Sequence, residues 1–487
     1  MSDQIFDLKK EKYLSLRDKF SDQYDKKLSI HEVRALGAGT KNIQTAGRIV
    51  GMRSMGKIIF SQLYDFSGKI QLYYKKDDEN SLNFKSFQKD LSIGDFIGVS
   101  GELFLTKTGE LSLKIDSWSL LNKCLRPLPE KYHGLEDIEL RYRRRYLDII
   151  MNENSRHVFK KRFELIKFMR RFLEDHGYLE IETPILQNQA SGALAKPFLT
   201  HHNALDMDCV LRIACETYLK RCIGAGMDKV FEFARCFRNE GISATHLQDF
   251  TMLEFYAAYW NSETMMPFVE SMIRNLIENL FGKLEITLNG HKIDFSQKWP
   301  VYDYGELIQK DCGVDIFACK SKEELLAILK AKEIYIEDAK NLSLANLIDA
   351  LYKKVSRPKL IHPCFLVKYP VEMAPLARRN KDNESLVDFF QLIVNGVEIV
   401  KAYSELVDPI DQRERFVSQA QARLEGDEES MPMDEDFISA MEYGFPPVTG
   451  VGIGIDRLIM ILCECENIKD TVLFPLLRNQ TEPESSS

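Results

Sequence analysis

The sequence predicts an α+β protein in which a small five-stranded β-barrel precedes a larger body of antiparallel strands and helices. Five short strand-like runs separated by turn residues occupy roughly 80 residues near the N-terminus. Residues 154–176 follow as a strongly amphipathic helix. Residues 230–260 alternate in the manner of two antiparallel strands, with a long polar loop between them.

Composition places the chain among globular proteins. It has 487 residues, enough for two or three domains, with 45% hydrophobic and 28% charged residues. No apolar run approaches the ~20 residues of a membrane span, and the N-terminal residues lack the apolar core of a signal peptide. The ten cysteines are scattered without a C-x-x-C pair. We therefore expect a cytoplasmic protein with reduced thiols and no membrane contact.

The net charge of −8 is unevenly distributed. Residues 1–130 carry 21 Lys and Arg against 17 Asp and Glu, whereas the remainder carries 44 against 56. A weakly basic module joined to an acidic body is compatible with a polyanionic partner for the module.

We predict a helical extension, a barrel domain, a hinge, a larger domain and a disordered tail, with bounds 1–35, 36–125, 126–150, 151–480 and 481–487. Barrels of this size and strand count are typical of oligonucleotide-binding folds, the OB-folds, which stack bases on aromatic side chains. Arg53, Phe60 and Gln71 are placed to provide such contacts. The alternative is that Phe60 belongs to the core and Gln71 is a solvated strand residue.

Residues 178–186 follow the amphipathic helix and are predicted to form a strand containing Pro184. Because proline cannot donate a ladder hydrogen bond, this strand is expected at a sheet edge or an interface. Such an element is able to pair across the two-fold axis of a dimer.

The loop of the 230–260 hairpin carries the first group of candidate site residues. Arg238 and Glu240 are predicted to alternate on one strand face, with Phe250 and Met252 on the returning strand. Arginine holds phosphate or carboxylate groups bidentately, and phenylalanine stacks on an aromatic base. A long charged loop on rigid strands favours a ligand site, and a solvated hairpin is the alternative.

A glycine-rich strand forms the second group. Gly450, Gly452 and Gly454 leave one strand face bare, so that a flat ligand is able to lie on the backbone. Arg457 follows at the start of a helix, where anions bind favourably. The spacing matches neither the G-x-G-x-x-G dinucleotide fingerprint nor a phosphate-binding P-loop. Close packing of the glycines on a neighbouring strand remains the alternative.

A carboxylate on a third strand completes the candidate site. Glu398 lies in the run Val397–Glu405 and is a candidate Mg²⁺ ligand, because Mg²⁺ at nucleotide phosphates takes one or two carboxylates. A solvated or salt-bridged glutamate is the alternative.

Together these segments resemble the three signature motifs of the class II aminoacyl-tRNA synthetases. Residues 172–186, 237–254 and 450–458 resemble motifs 1, 2 and 3 in the order of that family. The closer resemblance is to the bacterial lysine-specific members, and it rests also on residues 133–150, 196–208, 375–380 and 433–437. It covers roughly residues 40–478.

The resemblance implies an anticodon-binding OB-fold barrel, then a six- or seven-stranded antiparallel sheet flanked by helices, in a homodimer formed through motif 1. It also implies a ligase. L-lysine and ATP would give lysyl-adenylate with Mg²⁺ as cofactor, and the lysyl group would pass to the 3′ end of the lysine tRNA. No general base is needed, because the attacking group is already a carboxylate.

Residue roles follow from the same resemblance. Arg238 would bridge the lysine carboxylate and the α-phosphate, and Arg457 would hold the γ-phosphate, so these two are the implied catalytic residues. The implied ATP site comprises Arg238, Glu240, His246, Phe250, Glu398, Gly454 and Arg457. The implied lysine site comprises Gly192, Glu216, Arg238, Glu254, Tyr256, Tyr403 and Glu405. The implied anticodon contacts are Arg53, Phe60 and Gln71, the residues that match those holding the central anticodon base.

Four positions depart from the family pattern. The family's second metal-binding carboxylate appears as Gln391, so Glu398 is the implied Mg²⁺ ligand, and the number of Mg²⁺ ions stays open. An asparagine near the lysine carboxylate appears as Lys401, a cation that would serve the same carboxylate or alter specificity. In motif 2, Thr245 and Leu247 replace the usual arginine and asparagine around His246.

Other functions compete with this one. A related ligase would add lysine or an analogue to a protein, but such relatives lack the barrel. A non-catalytic RNA-binding paralogue predicts loss of Arg238 or Arg457, and both are present. A synthetase for aspartate or asparagine shares the subclass, but an aspartate pocket would present cations to the substrate side chain, and Lys401 is the one residue that favours this alternative.

Overall fold

The computed structural model describes residues 2–76, 81–129, 135, 137–288, 290–424 and 431–479. The chain divides into two compact units, Met1–Arg156 and His157–Ser487. The five-segment division stays a prediction, and the tail 481–487, the turn at 77–80 and parts of the hinge lie outside the described residues. Within the described ranges, no helix has the length and apolarity needed to cross a membrane.

The first unit contains the predicted closed barrel, with strand order β1-β2-β3-β5-β4. Its helices are α1 (Ser2–Leu16), α2 (Ile30–Leu36), α3 (Ser81–Asp90), α4 (Ile138–Arg143) and α5 (Arg145–Met151). Its strands are β1 (Ile43–Met55), β2 (Ile58–Asp65), β3 (Gly68–Lys75), β4 (Phe96–Leu105) and β5 (Leu111–Asn122). Inward-facing aliphatic side chains at alternate strand positions form the core, which confirms the predicted five-stranded fold.

Helix α3 was not predicted, because a charged stretch before it has the composition of a turn. The helix is amphipathic, and Phe84 and Phe87 bury their rings in the barrel core, where both contact Tyr74. Residues 1–35, for which a helical extension is predicted, contain two helices, and residues 20–29 between them form neither an α-helix nor a strand.

The second unit is built on an eight-stranded sheet of order β14-β15-β16-β17-β18-β11-β10-β6. The strands are β6 (Leu179–Glu180), β7 (Leu186–Gln187), β8 (Leu199–His202), β9 (Met207–Leu211), β10 (Lys229–Phe237), β11 (Asp249–Ala258), β12 (Glu285–Leu288), β13 (His291–Asp294), β14 (Val301–Asp303), β15 (Cys364–Pro370), β16 (Leu386–Val394), β17 (Val397–Ser404) and β18 (Val448–Gly454). The six strands from β15 to β10 are antiparallel, as expected, and the short edge strands β14 and β6 pair in parallel.

Helices cover the sheet and connect its strands. They are α6 (Glu153–Asp175), α7 (Glu216–Gly224), α8 (Ser262–Phe281), α9 (Tyr304–Cys312), α10 (Lys322–Ala331), α11 (Leu344–Val355), α12 (Pro409–Leu424), α13 (Glu435–Glu442) and α14 (Ile455–Leu462). One face of the central strands packs on α8, where Val269, Met272 and Leu276 join Phe255 and Ile453 in a fully buried cluster. The opposite face of the same strands is therefore available for a site.

Two local predictions need correction. Residues 178–186 do not form one strand but the short strands β6 and β7, which belong to different sheets. The chain leaves the ladder before Pro184, whose carbonyl accepts a hydrogen bond from Gln187 Nε2 at 3.2 Å. Strand β6 does lie at the sheet edge, as proline chemistry predicts. Strand β10 ends at Phe237, so Arg238 and Glu240 lie in the loop and do not alternate on a strand.

Candidate active site

The free face of the sheet carries a cavity of about 250 Å³ whose floor is the glycine-rich strand β18. Gly450 pairs with Tyr403 on one side and Tyr256 on the other, and Gly452 pairs likewise with Lys401 and Glu254. Because Gly452 carries no side chain, its cross-strand row leaves a trough between Lys401 and Glu254, whereas the space beside Gly450 is taken by Tyr256 and Glu405. The predicted bare strand face is thus the floor of the cavity.

All the predicted ATP and lysine residues line this one cavity. They are Gly192, Glu216, Arg238, Glu240, His246, Phe250, Glu254, Tyr256, Glu398, Tyr403, Glu405, Gly454 and Arg457. The departures Lys401, Thr245 and Leu247 line it too, whereas Gln391 does not. The hairpin, the glycine strand and strand β17, which are distant in sequence, are neighbours in the sheet.

A β-bulge brings Glu398 into the cavity. Strand residues alternate between faces, so an even-numbered Glu398 would point away from Lys401, Tyr403 and Glu405 on a regular strand. The register between β16 and β17 shifts: Leu392 pairs with Val400, but Ile393 pairs with Glu398. The extra residue, Ile399, turns Glu398 to the cavity face, which is the way bulges re-aim site residues.

One end of the cavity carries two arginines. Arg238 lies with its guanidinium carbon 5.1 Å from the centre of the Phe250 ring, and its buried Nε has no hydrogen-bond partner among the described residues. Arg457 Nη1 lies 3.8 Å from Glu398 Oε1, and Arg457 Nε donates to the carbonyl of Thr245 at 3.3 Å. A buried donor without a partner is costly, so the arrangement is suited to an anionic ligand.

His246 lies beside these arginines in a neutral form. Its Nδ1 is 2.8 Å from Ser243 Oγ and 3.1 Å from Thr245 Oγ1. Burial, and then the charge of Arg457, lower the pKa of His246 to about 4. At neutral pH the imidazole therefore acts as a hydrogen-bonding group rather than as a third cation.

The other end of the cavity is acidic. Glu216, Glu254 and Glu405 are all buried, and Tyr403 donates to Glu216 Oε1 at 2.6 Å while Tyr256 donates to Glu254 Oε2 at 3.1 Å. Burial, and then Glu216, raise the pKa of Glu254 to about 7. Burial also raises the pKa of Glu405 well above its usual range, against the opposing charge of Lys220. Three buried carboxylates in one pocket favour a cationic ligand.

Gly192 closes the wall of the acidic end. It adopts φ +86°, and a Cβ there would lie 3.0 Å from Glu216 Cβ and 3.3 Å from Ala214 Cβ. The positive φ therefore favours glycine at this position, and a Cβ would in addition crowd Glu216 and Ala214. The close approach also brings the backbone of Gly192 next to Glu216.

Sequence reasoning missed Lys220, which lies between two of the three carboxylates. Its Nζ is 2.6 Å from Glu216 Oε1 and forms an ion pair with Glu405. The i,i+4 spacing of Glu216 and Lys220 on the buried helix α7 was the signal available in the sequence.

Gln391 supports Glu398 from outside the cavity. Its Nε2 donates to Glu398 Oε2 at 2.7 Å, and its Oε1 accepts from the hydroxyl of Tyr369 at 2.7 Å. No group of three or more His, Cys, Asp or Glu residues with metal-binding geometry occurs among the described residues. Glu398 alone suits a Mg²⁺ ion that is held mainly by phosphate oxygens, whereas the amide N–H of Gln391 does not suit a second ion.

The barrel carries a separate open groove of about 620 Å³ that is lined by Arg53, Phe60 and Gln71. Arg53 pairs with Phe60 across β1 and β2, and its guanidinium carbon is 5.0 Å from the ring centre. Gln71 pairs with Gln62, and its side-chain amide donates to Ser112 Oγ at 2.8 Å. The three predicted residues thus share one groove, although Gln71 is buried rather than solvated.

Known proteins resemble the chain over almost its whole length. A family model described as tRNA synthetases class II (D, K and N) matches residues 137–478, and one described as an OB-fold nucleic acid binding domain matches residues 43–121. A protein from Aquifex aeolicus is 46% identical over 90% of this chain and 73% of its own length. Proteins from Pelotomaculum thermopropionicum and Listeria welshimeri are 43% and 41% identical over 98% and 99% of this chain and 95% and 98% of their own lengths. All three are named lysine–tRNA ligase. The chain belongs to the class II tRNA synthetases of the D, K and N group.

Proposed function

We propose that this chain is a lysine–tRNA ligase, which activates L-lysine with ATP and transfers it to the lysine tRNA. The observation that carries the proposal is the two-ended cavity, with arginines at one end and three buried carboxylates at the other. Relatives of 41–46% identity that bear this name support it.

The acidic end suits the side chain of lysine. Glu254 and Glu405, with Tyr256, would meet the ε-ammonium, while Tyr403 lies along the aliphatic stem and Glu216 and Gly192 meet the α-amine. Lys220 pairs with Glu216 and Glu405 but not with Glu254, so a neutral analogue would leave the buried Glu254 carboxylate without a cation, a strong form of discrimination for a polar pocket.

At the arginine end, the chain's residues position the two reactants. Arg238 would contact both the lysine carboxylate and the α-phosphate, with Arg457 on the γ-phosphate and Phe250 against the adenine. The carboxylate oxygen then attacks the α-phosphorus, the bond to the β-phosphate breaks, and pyrophosphate leaves. In the second step the terminal ribose hydroxyl of the tRNA attacks the carbonyl carbon and AMP leaves. Such positioning is worth up to ~7–11 kcal/mol of barrier.

The remaining nucleotide contacts come from the loop and from the glycine strand. Glu240, the neutral His246 and the backbone of Gly454 would contact ATP. Glu398 would hold Mg²⁺, and a bound Mg²⁺ neutralises charge on the phosphates and the departing pyrophosphate.

The barrel and a second copy of the chain complete the proposal. The groove of Arg53, Phe60 and Gln71 would hold a base of the anticodon, because an aromatic ring beside an arginine is a typical stacking platform. A homodimer through residues 172–186 is expected from the resemblance, and β6 lies at the sheet edge that such pairing would use.

The competing functions fit less well. A protein-modifying lysine ligase has no use for the barrel groove. A non-catalytic paralogue would not need to keep both arginines and all three carboxylates. An aspartate enzyme would need cations where Glu216, Glu254 and Glu405 lie, and Lys401 alone does not reverse the charge of that pocket.

The test is ATP–pyrophosphate exchange with a panel of amino acids that includes lysine, ornithine, arginine, aspartate and asparagine. We expect exchange that depends on lysine, followed by charging of the lysine tRNA. Exchange with aspartate but not lysine would replace the proposal with the aspartate enzyme. Exchange with lysine but no charging would favour the protein ligase.

A further inference from the structure

We propose that the active site binds a single divalent cation per nucleotide rather than two or more. The ammonium group of Lys401 supplies the positive charge that a further cation would otherwise provide. The inference rests on the proposed function, since it concerns the phosphates of the same ATP.

The amide of Gln391 faces Glu398 with its N–H group. Tyr369 lies against Gln391 Oε1 at 2.7 Å, and Glu398 Oε2 lies against Gln391 Nε2 at 2.7 Å. The reverse orientation would place an amide oxygen against a carboxylate oxygen, where neither atom carries a proton. A cation bridging residues 391 and 398 would therefore meet an N–H donor on one side.

Lys401 lies directly opposite Gln391 in the sheet. The two residues are register partners on β16 and β17, so their side chains leave the same face. Lys401 lines the cavity, whereas Gln391 lies just outside its lining. In the family pattern this pair is a carboxylate and an asparagine, so the change here removes one negative charge and adds one positive charge at a single point.

Along strand β17, Lys401 lies between the residues that mark the two ends of the cavity. Glu398, on the cavity face because of the bulge at Ile399, marks the phosphate end, and Tyr403 and Glu405 mark the acidic end. Lys401 lies between them, next to Gly452 on the cavity floor. The lysine carboxylate and the α-phosphate must meet in this interval, and both are anions.

The ammonium of Lys401 differs from a metal ion in that it is covalently part of the protein. It is held by the chain and costs no binding equilibrium, although it offers hydrogen-bond donors rather than open coordination positions. Lys401 Nζ is 5.6 Å from the ring centre of Phe389, which stacks on Tyr403 with ring centres 5.7 Å apart. The ammonium of this exposed side chain therefore lies beside the Phe389 ring, a favourable contact for a cation.

The first measurement counts metal ions without requiring activity. Mn²⁺ is titrated into the full-length protein with α,β-methylene ATP, and free Mn²⁺ is read by electron paramagnetic resonance. We expect a single Mn²⁺ per bound nucleotide in the natural chain and a second one in the double variant Gln391→Glu/Lys401→Asn. Two or more Mn²⁺ ions per nucleotide in the natural chain would overturn the inference.

The second measurement separates charge from structure. Lys401→Met keeps the length of the side chain but removes its charge, and we expect lysine-dependent exchange to fall by about 100-fold, as for other lost transition-state donors. Lys401→Arg should keep most of the exchange activity. Added Mg²⁺ should raise the exchange activity of the double variant, which is expected to hold a second cation, but not that of Lys401→Met. Lys381→Met removes an exposed lysine outside the cavity and serves as the charge-matched control.

The possible results test the proposed function and the role of Lys401 separately. Absence of exchange with lysine in the natural chain would refute the proposed function, whatever the Mn²⁺ count. Exchange in the natural chain with no loss in Lys401→Met would refute the role of Lys401 alone. If the double variant does not fold, judged by its circular dichroism, the natural Mn²⁺ count and the Lys401→Met and Lys401→Arg pair still decide.

Discussion

Lys220 Nζ lies 2.6 Å from Glu216 Oε1, and the lysine side chain is only 1% exposed. Burial lowers the pKa of Lys220, but Glu216 and Glu405 raise it by more, so that the net shift is upward. The cavity that is suited to a lysine substrate therefore already contains one ammonium group in its wall. It offsets part of the repulsion among the carboxylates when no substrate is bound.

Removing this charge should destabilise the fold. We expect Lys220→Met to lower the free energy of unfolding in urea by about 3–5 kcal/mol, because it leaves Glu216 and Glu405 buried without a cation. Saturating L-lysine should restore part of the loss by supplying an ammonium to the same pocket. Lys353→Met is the control, since it removes an exposed i,i+4 partner of Asp349 that is worth only about 0.3–0.5 kcal/mol. Equal losses in both variants would contradict the role of Lys220.

Lysine binding should strengthen as the pH rises through about 7, the value to which burial and Glu216 raise the pKa of Glu254. Below that pH the carboxyl is protonated and attracts the substrate ammonium weakly; above it the carboxylate is ionised. The KM for lysine in the exchange reaction should thus fall between about pH 6 and pH 8, with a proton released on binding. Glu254→Gln should bind lysine weakly and lose this pH dependence; an unchanged profile in that variant would show that another group is responsible.

The raised pKa of Glu254 affects the stability of the empty protein in the opposite sense: stability falls as the pH rises, whereas lysine binding strengthens. The folded state binds this proton more tightly than the unfolded chain, where the pKa of glutamate is about 4.3. The stability that Glu254 contributes is therefore full below that value and is lost as the pH rises through about 7. Urea unfolding of the empty natural chain and of Glu254→Gln across this range would measure the difference.

Arg238 should matter for chemistry rather than for tRNA binding. Its Nε is buried without a partner among the described residues, so the guanidinium is held ready for an anion. We expect Arg238→Ala to reduce lysine-dependent pyrophosphate exchange by at least about 10²–10³-fold while tRNA affinity in a filter-binding assay is unchanged. Arg413→Ala, which removes a partly exposed arginine paired with Glu435, is the control. Exchange at the natural rate in Arg238→Ala would refute the assigned role.

Phe60 should matter for tRNA rather than for adenylate formation. Its ring lies 5.0 Å from the guanidinium carbon of Arg53 and 5.5 Å from the ring centre of Tyr73, in the barrel groove. Loss of one stacked base costs roughly 1–3 kcal/mol, so Phe60→Ala should lower kcat/KM for tRNA charging by about 5–150-fold and leave exchange unchanged. Phe66→Ala alters an exposed ring in the β2–β3 turn outside the groove and is the control. Equal charging by both variants would remove the anticodon role.

Much of this site could be predicted because its motifs are local. The alternation of β10 and β11, the glycines of β18 and the turns of the barrel each act on their own neighbours in the chain. Periodicity also predicted a helix over residues 154–176, and α6 spans Glu153–Asp175. The resemblance then supplied the order in which these motifs meet.

Other features depend on contacts between distant segments and could not be predicted. The bulge at Ile399 appears only when β17 pairs with β16, and it decides the face that Glu398 occupies. The buried pairing of Lys220 with Glu405 joins residues far apart in sequence. Helix α3 was not predicted, because the charged stretch before it has a turn-like composition. The packing of its phenylalanine rings on Tyr74 outweighs that composition.

Substitutions in strand β18 can separate two explanations for its glycines, a floor kept bare for a ligand and close packing of the strands. A Cβ on Gly450 would collide with Tyr256 Cε1 and Glu405 Oε1, whereas a Cβ on Gly452 would meet Met252 Sδ only at 3.5 Å. We expect Gly450→Ala to lose about 1–3 kcal/mol of stability in urea, because the wall of the acidic pocket must move, and to raise the KM for lysine.

Gly452→Ala should behave differently, because its methyl group enters the cavity rather than the protein. Its stability should stay within about 0.5 kcal/mol of the natural chain, while the KM for ATP or lysine rises. The comparison decides between a floor kept bare for a ligand and glycines kept only for strand packing. If both variants lose stability and keep their substrate affinities, the glycines serve packing, and β18 is not the floor of the substrate site.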